Sequence, residues 1–127
     1  MTRINVVPVD ELSDKHLSGE FHEISRVFTL ARKRGAAHPK APAQYTLGKG
    51  HVLFFYDKLF WVANRYHSLA RELQLRAFLK KRDSSVDMDR VRKICQEARE
   101  HVPHLFGKYT PTPEAIAINQ QRIQERS

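Results

Sequence analysis

The chain has 127 residues, 41% of them apolar, which suits one compact domain and argues against wholesale disorder. No apolar run approaches the ~20 residues that a membrane-spanning helix needs, and no secretory leader is expected, because Pro8, Asp10 and Glu11 follow Arg3 closely. The lone Cys95 excludes an intramolecular disulfide and every multi-cysteine zinc motif, while 22 Lys and Arg against 14 Asp and Glu leave a net charge of +8. A field of that sign draws polyanions, nucleic acid foremost, since each phosphate neutralised releases counterions. Ribosomal and membrane-surface proteins share the feature. A single domain over residues 2–127, cytoplasmic and nucleoid-associated, is the matching expectation.

The first predicted helix runs from about Leu12 to Arg34. Leu17, Phe21, Ile24, Phe28 and Ala31 recur at steps of four, three, four and three, which is one helical face. Asp10 is the expected N-cap and Gly35 the stop. Between Gly35 and Tyr56 the chain is punctuated by Pro39, Pro42, Gly48 and Gly50 too densely for a regular element. The apolar run Val52 to Tyr56 reads as buried extended chain or the approach to the next helix. That helix spans about Asp57 to Lys81, with Leu59, Val62, Tyr66, Leu69, Leu73 and Ala77 on one face. A third runs from about Asp87 to His101, and the last starts at Thr112 with Pro113 in its first turn. The predicted fold class is all-α, a compact single domain of three to four packed helices with long irregular loops.

The side of the first helix opposite its core is mostly basic. At about 100° per residue, Lys15, His16, Gly19, His22, Glu23, Arg26 and Lys33 fall in one stripe. A basic groove holding one acid suits phosphate positioning around acid–base chemistry. The alternative is a solvated face on which Glu23 pairs with Arg26. Neither His16 nor His22 has a metal-ligand pattern around it, so no metal and no organic cofactor is expected.

The opening Thr2-Arg3-Ile4-Asn5, read with Glu23 and Arg26, resembles the phage-type pyrimidine-dimer DNA glycosylases, the endonuclease V of the T-even phages. The likeness continues through Glu11-Leu12, His16-Leu17, Glu20, Arg26-Val27-Phe28, Gly50-His51-Val52, Phe54 to Leu59, and Glu114 to Ile118 with Gln120 and Arg122. It implies a compact helical fold and a repair reaction on double-stranded DNA carrying a damaged base or abasic site. In that family the α-amine of the threonine exposed by loss of methionine attacks the sugar at C1′. An imine forms, and β-elimination cuts the strand. Thr2 and Glu23 are then the catalytic residues. Arg3, Arg26, Arg122 and Arg126 would hold the DNA backbone, joined by Lys15, His16, His22 and Lys33. An α-amine, with a reference pKa near 8, is partly unprotonated at neutral pH, and only that form attacks.

Two departures stand against the resemblance. His22 replaces an arginine of the phage enzyme and lacks its bidentate fork. The phage enzyme also continues into an aromatic-rich tail, whereas this chain reads Gln124-Glu125-Arg126 with no such segment. The imine chemistry is therefore the firmer implication, and dimer specificity the weaker. An abasic-site lyase, a glycosylase for another lesion, or a non-catalytic DNA-binding module are the alternatives. A monomer is expected.

Overall fold

The computed structural model describes residues 3–126. Among them are four α-helices and no strand: α1 (Asp14–Arg34), α2 (Leu59–Leu79), α3 (Met88–His101) and α4 (Pro113–Glu125). An isolated antiparallel bridge pairs Lys58 with Phe106. The all-α expectation holds.

The first helix starts later than its sequence signals. Ser13, not Asp10, is the N-cap: it sits at φ −65° and ψ 162°, and its Oγ accepts from His16 N–H at 3.2 Å. Asp10 instead lies in a one-turn 3-10 helix, Val9–Glu11. Between the two, Leu12 is buried with ψ 142°, which breaks the helical path before Ser13 can restart it. At the far end Gly35 takes φ 75°, a left-handed conformation open to glycine, and its N–H closes on Ala31 O at 2.8 Å. Arg32, Lys33 and Arg34 occupy the last turn, where cations complement the helix dipole.

Leu17, Ile24, Val27, Phe28 and Ala31 of α1 are buried, and the helix packs mainly across α2 and then α3. α2 contributes Leu59, Val62, Tyr66, Leu69 and Ala70. Its last turns leave the core, so Leu75, Phe78 and Leu79 are exposed. α3 is capped by Asp87, whose Oδ1 accepts from Arg90 N–H at 3.1 Å, and buries Val91 and Ala98. Thr112 caps α4 by accepting from Ala115 N–H at 3.1 Å. No helix among the described residues is long and apolar enough to cross a membrane.

The run Val52 to Tyr56 is not extended. Leu53–Phe55 form a 3-10 turn, and consecutive Phe54 and Phe55 are both buried. A strand would send neighbouring side chains to opposite faces; the tight turn brings both rings inward. Gly48 and Gly50, at φ 71° and 88°, bend the chain into it. Trp61 of α2 stacks on Phe55 with centroids 5.3 Å apart, and so belongs to this aromatic cluster.

Candidate active site

Residues 4–7 have no regular secondary structure, yet Ile4, Asn5, Val6 and Val7 are all buried. Buried backbone polar groups without a ladder must find partners elsewhere. Here side chains supply them. Ile4 N–H donates to His51 Nε2 at 2.8 Å, and Ile4 O accepts from the Tyr45 hydroxyl at 3.1 Å. Val6 and Val7 N–H both donate to Asn119 Oδ1, at 2.8 and 3.2 Å, while Val7 O accepts from Arg65 Nη1. His51 Nδ1 lies 2.8 Å from Thr46 O. A carbonyl only accepts, so Nδ1 carries the proton, Nε2 is the acceptor and the ring is neutral. Burial pushes this imidazole below its ordinary pKa; the Thr46 carbonyl opposes that and nearby Arg3 adds to it.

The side chains of this region close into a circuit. Arg65 Nε and Nη2 donate to Glu20 at 2.8 and 2.9 Å, Glu20 Oε1 accepts from Asn5 Nδ2 at 2.9 Å, and Asn119 Nδ2 donates to Asn5 Oδ1 at 2.8 Å. Asn119 and Arg65 both return to Val7. The Arg65–Glu20 ion pair is 7% and 1% exposed at its side chains, so its charges survive burial only because each is paired and hydrogen-bonded.

Above the circuit lies a hollow of about 430 Å³. Asn5 and Glu20 form part of its wall; Gly19, Lys15, His16 and Glu23 of α1 line it, with Arg3 and Arg126. Glu23 is half-buried and has no hydrogen bond or ion pair among the described residues, so the Glu23–Arg26 pair allowed by their spacing does not form. His16 Nδ1 is buried without a partner there. Partial burial, then Lys15 and Arg3, hold the His16 ring below its usual pKa. Arg3 is lowered by burial and by the like charges of Arg126 and Arg122, against the opposing pull of Tyr45 and Glu23. A carboxylate without a hydrogen bond or ion pair among the described residues, set among cations in a concave surface, can move protons beside a bound phosphodiester.

Of the residues singled out from sequence, the hollow unites Arg3, Lys15, His16, Glu23 and Arg126. Arg122 is close enough to depress Arg3 and lies 4.0 Å from Glu125. Three others on α1 face elsewhere. His22 opens onto a neighbouring hollow of about 140 Å³ with Phe21, Tyr66 and Arg90. Arg26 is exposed and lines neither hollow. Lys33 sits roughly 27 Å from Lys15 along the helix at 1.5 Å per residue, beside His101 and His104. Thr2 lies outside the described residues.

Asn5, Glu20, Arg65 and Asn119 received no role from the sequence. The signal available was a polar residue on a buried face: Glu20 falls between Leu17 and Ile24, and Arg65 between Val62 and Tyr66. No group of three or more His, Cys, Asp or Glu among the described residues is placed to hold a metal ion.

The hollow of this all-α domain sets the cations Arg3, Lys15 and Arg126 around Glu23, a surface suited to a polyanion. The model of one family, pyrimidine dimer DNA glycosylase, matches residues 1–86 of the 127, and the chain belongs to that family. It is thus a DNA-repair glycosylase by family, with DNA as its substrate. The matched residues include Arg3, Glu20, Glu23 and Arg65; α4, with Asn119 and Arg122, and its C-cap Arg126 lie beyond them.

Proposed function

We propose that this chain excises a damaged pyrimidine, a cyclobutane dimer foremost, and then cuts the strand at the sugar left behind. The α-amine of Thr2, freed by removal of Met1, attacks C1′ of the deoxyribose. The nitrogen–C1′ bond forms as the C1′–base bond breaks, and its electron pair leaves with the base. The nitrogen sheds a proton, O4′ takes one up as the ring opens, and a C1′ imine results. Loss of a C2′ proton then expels the 3′ phosphate by β-elimination, and water hydrolyses the imine to return the amine. Glu23 carries protons at the sugar and stabilises the cationic imine. Arg3, Lys15, His16 and Arg126 hold phosphates, and His22, Arg26, Lys33 and Arg122 extend that contact.

The observation supporting this reading is that Arg3, the residue after Thr2 in the chain, lines one hollow with Glu23, whose carboxylate has no protein partner there. The test is borohydride trapping on duplex DNA, with irradiated and abasic substrates in parallel. Both should give a covalent adduct, lost after acetylation of the N-terminus. Glu23→Gln should bind DNA normally yet cleave on the order of 10²-fold or more slowly. An adduct on abasic DNA alone would narrow the activity to an abasic-site lyase. No adduct on either substrate would leave only a DNA-binding domain.

A further inference from the structure

The catalytic reading requires the start of the chain to be held in register with Glu23, and the structure contains a device for doing so. We infer that Asn119 of α4 is a positioning residue for the reaction, locking the N-terminal segment to the helix that carries Glu23. The inference rests on the proposed amine chemistry.

Asn119 is fully buried and makes three bonds with that segment: its Oδ1 accepts from Val6 and Val7 N–H, and its Nδ2 donates to Asn5 Oδ1 at 2.8 Å. Asn5 in turn donates to Glu20 at 2.9 Å. Glu20 and Glu23 are three residues apart on α1, neighbours on one helical flank, and both line the hollow. A shift of the segment along α1 would therefore break bonds at Asn119 and Asn5. Hydrogen bonds fail within a few tenths of an ångström, whereas apolar packing tolerates sliding, so the circuit sets position more sharply than the core does. Asn119 touches no reacting atom in this scheme. It acts through Val6, Val7 and Asn5, and it lies beyond the segment that the family match covers.

Misplacing a reacting group by about an ångström slows chemistry by up to roughly 100-fold. Asn119→Ala should therefore lower the rate constant of adduct formation at saturating abasic duplex by roughly 10- to 100-fold. Its affinity for a duplex bearing a non-cleavable tetrahydrofuran site should change less than about threefold, since phosphate contacts dominate binding. The rate constant is the discriminating readout. A variant that is merely less stable loses adduct amplitude in proportion to its unfolded fraction, while its folded molecules react at the normal rate. Asn5→Ala breaks the circuit at a second point and should show the same rate defect. A normal rate constant in both variants, with the wild type giving adduct, would overturn the inference and leave the proposed function standing. No adduct from the wild type would overturn both.

Discussion

Two regions of this molecule are held together by different physics. Along α1 and α2, Ile24, Phe28, Val62 and Leu69 are buried in one apolar cluster. Around residues 4–7, His51, Tyr45, Asn119 and Arg65 bind a buried backbone through directional bonds. Apolar packing is non-directional and tolerates exchange of similar volumes. A buried polar circuit is all or nothing, because a half-satisfied one leaves groups worse off than in water. The scaffold supplies stability, and in the proposed reaction the circuit supplies placement.

The contrast breaks most visibly at Arg65. Arg65→Ala would strand the Glu20 carboxylate and cost about 3–5 kcal/mol in urea unfolding, comparable to the ~3–5 kcal/mol of a buried Leu69→Ala. The two should part in a second step. Replacing Arg65 and Glu20 together by Met and Leu removes the stranded charge and should restore part of the stability without restoring the adduct rate, whereas Leu69→Ala, which leaves the circuit whole, should keep a normal adduct rate. Recovery of rate in the apolar double variant would erase the distinction between the regions.

A smaller effect sharpens the comparison through pH. The folded-state pKa of His51 is depressed, chiefly by burial. The unfolded chain therefore takes up its proton first as pH falls. Stability from this residue is complete above the unfolded value near 6.5 and declines as pH drops toward the folded pKa, levelling off below it. Protonated Nε2 would also face the Ile4 N–H as a second donor, so the segment should loosen in the same window. His16 and His67 are depressed as well, mainly by burial, and add to the slope. Thermal melts between pH 7.5 and 5.5 should show this decline, and His51→Gln should flatten part of it. An unchanged slope in that variant would remove His51 from the effect.

The smallest change expected is at the start of α4. Thr112→Ala deletes the bond that its hydroxyl accepts from Ala115 N–H and should cost about 1 kcal/mol. The adduct rate should stay normal, since Asn119 lies in the body of α4. A rate defect from this cap would mean that placement depends on the whole helix and not on the circuit.

What the sequence revealed follows the same division. The α1–α2–α3 scaffold was legible because apolar residues at steps of three and four report burial on one helix at a time. Ends were read less well: Asp10 lost to Ser13 because the burial of Leu12 is a tertiary fact. Phe54 and Phe55 showed in sequence as core residues, but not as a 3-10 turn, since two adjacent buried rings fit no simple period. For the site, the basic stripe of α1 was visible while its division between two hollows was not, because periodicity says nothing of what flanks a helix. Of the circuit, only Glu20 and Arg65 left a trace, as polar residues on buried faces. Its bonds join Asn5 to Asn119 and Glu20 to Arg65, and no local pattern encodes such partners.

That long reach has a consequence for synthesis. Val6 and Val7 precede the side chain that satisfies them by 113 and 112 residues. At ~5–20 residues per second, translation leaves these amides without their acceptor for roughly 6–22 s. The segment is therefore seated on Asn119 only after α1, α2 and α3 have been synthesised.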